Sequence, residues 1–141
     1  MVGDFERDDH PRFRELLALV DHLILSAAFA KRITRTETVE DALSALWDGS
    51  RAMVILTDGE KGCWFRDGSA NVARHYPALP VEATDTTGCG DIFHGGYAVA
   101  LAEGRSFAER LALASGAAGF KASEQRLGTR AEVEALLASA R

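Results

Sequence analysis

Apolar positions change their spacing several times along the chain, and each change marks an element. Phe13, Leu16, Leu17 and Val20 recur at helical spacing, with Pro11 just inside the start, where a helix tolerates proline. His22-Leu23-Ile24-Leu25 then reads as a short buried strand. Thr38 with Asp41 resembles a capping box for a helix carrying Val39, Ala42, Leu43, Leu46 and Trp47 on one face, and Asp48-Gly49 ends it. Ala52-Met53-Val54-Ile55-Leu56 is an unbroken apolar run, the pattern of a strand covered on both faces. Helix, strand, helix, strand in this order favours a parallel sheet with helical crossovers.

The pattern then changes. Cys63-Trp64-Phe65-Arg66, the turn signal Asp67-Gly68 and Asn71-Val72-Ala73-Arg74-His75-Tyr76 predict a β-hairpin. Pro77 and Pro80 bracket a connection, and Val81–Thr84 is a short extended piece. Three helices follow, over about 92–103, 107–121 and 130–140. Gly104 suits the end of the first, Ser106 the N-cap of the second, and Thr129-Arg130-Ala131-Glu132 a capping box for the third, with Val133, Leu136 and Leu137 facing inward. No repeat or linker interrupts the pattern, so residues 1–141 are expected to form one α/β unit.

Composition narrows the class. At 141 residues the chain suits one domain with a core and is short for two. A net charge of -5 argues against a nucleic-acid or anionic-membrane partner, since either favours a clustered basic surface. No apolar run approaches the length of a membrane helix, and the acidic start Met1–Asp9 is unlike a signal peptide. Cys63 and Cys89 make neither a disulfide framework nor a metal-ligand spacing, and the expected location is the cytoplasm.

The candidate chemistry lies in Asp85-Thr86-Thr87-Gly88-Cys89-Gly90-Asp91. Two glycines around one small residue let the backbone bend tightly against a ligand. A helix starting near Asp91 would aim its free N–H groups and positive dipole end into the bend, which attracts a phosphate. A carboxylate at the same place could accept the proton of an attacking hydroxyl, so the arrangement suits phosphoryl transfer. The glycines alone are also satisfied by a plain strand-to-helix turn with Asp91 as a cap. No Walker loop occurs.

The run Asp85–Gly96 closely resembles the second signature of the ribokinase-type (PfkB-type) sugar kinases, D-T-x-G-A-G-D-x-F, with Cys89 at the usual alanine and His94 where asparagine often follows. Val54-Ile55-Leu56-Thr57-Asp58-Gly59-Glu60-Lys61-Gly62 resembles the strand and T-x-G-x-x-G of the same family. Order and separation of the two motifs agree. Asp4-Phe5-Glu6-Arg7 resembles the aspartate-bearing strand end near the middle of the family's chain, and Gly128–Val133 its closing segment. The resemblance covers essentially the whole sequence.

It implies a ribokinase-like three-layer α/β/α sandwich, of which this chain is the C-terminal half, with a mostly parallel sheet and a hairpin. It implies ATP-dependent phosphorylation of a hydroxyl on a sugar or sugar-like alcohol. Asp91 would be the general base, and the N–H groups of Gly88, Cys89 and Gly90 the anion hole. The segment Thr57, Asp58, Gly59, Glu60, Lys61 and Gly62, together with Gly90, would line the nucleotide site. Asp85 and Thr87 match positions that hold a monovalent cation such as potassium in many members, and Mg²⁺ would travel with the ATP.

Two departures stand out. Many members carry N-x-x-E after the strand equivalent to His22–Leu25, where this chain has Ser26-Ala27-Ala28-Phe29. Members are also longer, and the N-terminal part that carries the sugar pocket and lid is not in this sequence. The chain is therefore expected to act with a missing N-terminal half or as a homo-oligomer. A nucleotide-binding module without kinase activity, and a kinase of nucleosides or vitamin-precursor alcohols, are the rival readings. An intact Asp91 argues against the first.

The remaining side chains have plainer readings. Cys63 and Cys89 suit small packed positions rather than nucleophiles, since no histidine is paired with either by motif. Trp47 and Trp64 suit core or interface positions, and His94, one turn after Asp91, suits either substrate contact or packing.

Overall fold

The computed structural model describes residues 1–69 and 72–140. The chain divides into two compact units, Met1–Pro77 and Ala78–Arg141.

The first unit holds a five-stranded sheet in sequence order: β1 (Val2–Gly3), β2 (His22–Ser26), β3 (Met53–Thr57), β4 (Cys63–Arg66) and β5 (Arg74–Tyr76). β1, β2 and β3 are parallel, with His22 opposite Met53 and Ser26 opposite Thr57, and β4 and β5 add antiparallel pairs. The expected hairpin is thus present as β4 and β5. Asn71, assigned to its second strand, lies outside the described residues.

Three helices connect the parallel strands: α1 (Phe13–Ala18), α2 (Ala27–Thr34) and α3 (Val39–Leu46). Leu23 and Leu25 of β2 join Val54 and Leu56 of β3 in a core with Phe13, Phe29, Leu43 and Leu46. Ile24 and Ile55, on the alternate positions, are fully buried as well, which is why both strands read as unbroken apolar runs. Each such side chain stabilises the fold by about 1.5–3 kcal/mol. Phe13 stands edge-on to both Phe5 (5.5 Å) and Phe29 (6.2 Å). The tryptophans are half-buried against this core.

Helix α2 has no counterpart in the sequence reading. It follows β2 without a loop, the Ser26 hydroxyl accepting the Phe29 N–H at 3.1 Å, and it ends at Arg35 in a left-handed conformation (φ 58°). Its buried stripe is Ala27, Phe29, Ala30 and Ile33, and the alanines in it are a weak periodic signal.

One polar core residue also escaped the pattern. The Arg51 guanidinium is buried and donates to the carbonyls of Leu46 (3.2 Å), Leu17 (2.8 Å) and Val20 (2.5 Å). It satisfies chain ends left over where α1 and α3 stop.

The second unit is helical: α4 (Cys89–Ala102), α5 (Phe107–Glu124) and α6 (Arg130–Ser139), with α5 packed on both others. Thr129 forms the predicted capping box, and Ser106, expected as an N-cap, forms one as well, whereas the Thr38 hydroxyl accepts the Asp41 N–H with no reciprocal bond to the Thr38 backbone N–H. Ser106 pairs reciprocally with Glu109, and Thr129 with Glu132. Helix α4 comes so close to α5 that a Cβ on Gly96 would stand 3.0 Å from Ala114 Cα, so a side chain there would push the two backbones apart by a few tenths of an ångström. Among the described residues, no helix is long and apolar enough to cross a membrane.

Candidate active site

Residues 84–91 are fastened to the C-terminal end of α5 before they turn into α4. The Thr84 and Asp85 N–H groups both donate to the Ala122 carbonyl, at 2.8 and 3.2 Å, and the Thr84 hydroxyl donates to it at 3.1 Å. The Asp85 carboxylate then folds the loop on itself, Oδ1 accepting the Thr87 N–H at 2.9 Å. Its other oxygen, Oδ2, accepts from Lys121 Nζ at 2.8 Å. The Lys121 ammonium, followed by the Thr87 amide, holds the Asp85 carboxyl well below the usual carboxylate range.

Gly88 makes the turn into α4 with φ 74° and ψ 3°, a left-handed conformation that costs other residues about 1–2 kcal/mol. The helix therefore begins at Cys89, slightly earlier than the sequence suggests, because Gly90 belongs to its first turn. Asp91 is the third helical residue and is exposed. A Cβ added to Gly88 would be 3.9 Å from Asp91 Oδ2, so the carboxylate lies beside the glycine turn.

The three expected anion-hole donors are not equivalent. The Cys89 N–H donates to the Thr86 carbonyl at 3.1 Å, whereas those of Gly88 and Gly90 have no acceptor among the described residues. The Cys89 thiol is turned inward, 3.6 Å from the Ala118 carbonyl, and burial raises its pKa. His94 Nδ1 lies 2.8 Å from the Gly90 carbonyl, against the wall of the same turn.

The second expected segment lies in the first unit. Thr57 closes β3, and its hydroxyl donates to the Leu25 carbonyl at 3.4 Å. Gly59–Lys61 form one tight 3₁₀ turn, closed by Asp58 N–H to Gly62 O at 2.7 Å and Gly62 N–H to Gly59 O at 3.0 Å. His75 Nε2 braces it, 2.6 Å from the Lys61 carbonyl. Ser26 and Thr57, opposite one another, end β2 and β3 at the carboxyl end of the sheet, where open α/β sheets bind ligands.

Residues 5–134 match the model of the pfkB family carbohydrate kinases. The chain belongs to this family. A ribokinase of Bacillus subtilis is 39% identical over 104 residues, which cover 71% of this chain and 33% of that protein. A cytidine kinase of Thermococcus kodakarensis is 37% identical over 99 residues, covering 68% of this chain and 34% of the relative. The crystal structure of ribokinase from Thermotoga maritima superposes with a TM-score of 0.76 at 31% identity, over 88% of this chain and 44% of that one. The structure of Arabidopsis thaliana ribokinase complexed with ribose and ATP gives a TM-score of 0.83 at 28% identity, over 96% and 46%. The chain thus spans less than half the length of each, and its fold is the mixed α/β fold of the ribokinase-like kinases.

Two metal expectations can be tested on the residues present. Phe29 stands where the resemblance would put a Mg²⁺-organising glutamate; it is buried against Phe13 and supplies no oxygen. The monovalent-cation position at Asp85 and Thr87 does not fit a free ion either. Lys121 already places an ammonium on the Asp85 carboxylate, and the remaining carboxylate oxygen is used by Thr87. Among the described residues, no group of three or more histidines, cysteines or acids could hold a metal ion.

Proposed function

We propose that this chain is the nucleotide-binding and phosphoryl-transfer portion of an ATP-dependent kinase acting on a hydroxyl of a sugar or sugar-like alcohol. The observation that carries the reading is the Asp91 carboxylate beside the Gly88 turn, with the Gly88 and Gly90 N–H groups unengaged at the start of α4. Family membership and the ribose- and ATP-bound relative support it.

In this reading Asp91 accepts the proton of the acceptor hydroxyl as it attacks. The Gly88 and Gly90 N–H groups, with the positive end of the 14-residue helix α4, stabilise charge developing on the transferring phosphoryl group. The Cys89 N–H joins them by releasing Thr86. The Thr57–Gly62 turn, exposing Gly59, Glu60 and Lys61, holds the nucleotide. When bound, Mg²⁺ would come with the nucleotide phosphates and would supply charge neutralisation there; no carboxylate of this chain is assigned to it.

Residues 1–141 act in this proposal as one partial domain, completed by an N-terminal half or a second copy that supplies the acceptor pocket. A nucleoside is the second acceptor class, favoured by the similarity to a cytidine kinase. A coupled ADP-release assay over sugars and nucleosides tests the proposal. Acceptor-dependent release that Asp91→Asn lowers by about 10²–10⁴-fold is the expected result for the assembled enzyme, with the isolated chain slow. Acceptor-dependent release that stays at the wild-type rate in Asp91→Asn would overturn the role of Asp91.

A further inference from the structure

The disagreement at Asp85 has a specific cause, and the cause suggests a role. Lys121 lies in the last turn of α5, with its side chain only 14% exposed, and Nζ reaches both Asp85 Oδ2 (2.8 Å) and the Asp85 backbone carbonyl (3.4 Å). The next residue, Ala122, accepts the Thr84 and Asp85 N–H groups through its carbonyl, so the backbone on either side of the ammonium is fixed. Asp85 Oδ1 is taken by Thr87, whose N–H precedes Gly88 by one residue. Every oxygen of Asp85 is thereby engaged, and the carboxylate and ammonium cancel in charge. A free cation added here would meet an ammonium at contact distance with no carboxylate left to compensate it.

We propose that Lys121 is the built-in cation of the glycine loop, a positioning residue whose tethered ammonium does what a bound monovalent ion would do. The ammonium draws the Asp85 side chain and carbonyl together behind the turn. This sets the Thr87 amide and presents the Gly88 and Gly90 N–H groups outward. The phosphoryl-transfer machinery therefore needs no potassium. The purpose of the device rests on the kinase reading, but its existence is tested without it.

Thermal unfolding of the chain is compared in potassium chloride and in the chloride of a bulky organic cation at equal ionic strength, for wild type, Lys121→Met and Lys121→Arg. The expected midpoint of wild type is the same in both salts. Lys121→Met should unfold lower by about 3 °C or more, and potassium should restore part of the loss. Lys121→Arg should stay near wild type in both salts. A potassium-specific rise in wild type would overturn the proposal. So would an unchanged midpoint in Lys121→Met, or a loss that potassium does not relieve, since a purely packing role predicts no ion selectivity. If Lys121→Met does not fold, Lys121→Gln carries the same comparison. ATP titration under the same conditions adds a second readout, with Lys121→Met expected to bind about tenfold more weakly in the organic cation than in potassium. A chain that binds no ATP in either salt counts against the kinase reading and leaves the midpoint comparison intact.

Discussion

The Asp91 carboxylate oxygen Oδ2 stands 3.9 Å from the point where a side chain on Gly88 would begin. The residue that turns the backbone and the residue that would take a proton are therefore set by one helical turn. Asp91→Asn keeps the shape of this pair and removes the base. Phosphoryl transfer by the assembled enzyme should fall about 10²–10⁴-fold with ATP affinity nearly unchanged. Steady-state kinetics beside calorimetric ATP titration measures the two separately.

Gly88→Ala should act differently. The added methyl has room, but φ of 74° strains any L side chain, so stability should fall by about 1–2 kcal/mol. Denaturant unfolding of the variant measures the cost, and an unchanged midpoint would show that the turn relaxes.

Arg51 is the buried polar group on which the first unit depends, through carbonyls of Leu17, Val20 and Leu46. Arg51→Ala should destabilise the chain by about 2–3 kcal/mol, because hydrogen bonds to a charged donor are lost and buried acceptors are left open. Arg51→Lys cannot reproduce the fork and should recover little. Chemical denaturation of both variants measures this.

Acid should loosen α6. The Arg126 guanidinium, then the Thr129 amide and hydroxyl, lower the Glu132 carboxyl to about 2 from its ordinary 4.5. The folded value is depressed, so this contribution is complete above about pH 4.5 and fades as pH falls towards 2. Glu132→Gln should therefore lower stability at neutral pH and flatten its pH dependence in that window. Parallel melting curves from pH 2 to 7 for variant and wild type would check the sign.

Among the described residues, strands β1 and β5 each pair on one side only. Next to β1 lies β2, whose Leu23, Ile24 and Leu25 are fully buried, and an open edge beside such a strand recruits further chains. The isolated chain should self-associate, giving a mass above the monomer by light scattering that falls on dilution. A monomer at every concentration would contradict this.

Much of this was legible in the sequence, and what was missed has two causes. Thr38, Ser106 and Thr129 announce their helices because a cap and its partner sit three residues apart. Leu23–Leu25 and Val54–Leu56 announce buried strands because a short unbroken apolar run suits a strand covered on both faces. Helix α2 was hidden by alanines that carry little periodic contrast. The Lys121–Asp85 pair spans 36 residues, and Arg51 reaches Leu17 across 34. No local pattern encodes either contact. The site motifs were visible, but the lysine standing behind them in place of an ion was not.

The most direct measurement is an amide-resolved NMR titration of the chain with Mg²⁺-ATP. The expected result is saturable shifts at Gly88 and Gly90 and over Thr57–Gly62, nearly the same in Asp91→Asn. Millimolar ATP that leaves those amides unmoved, or that moves only others, would contradict the assignment of the glycine turn as the phosphate site.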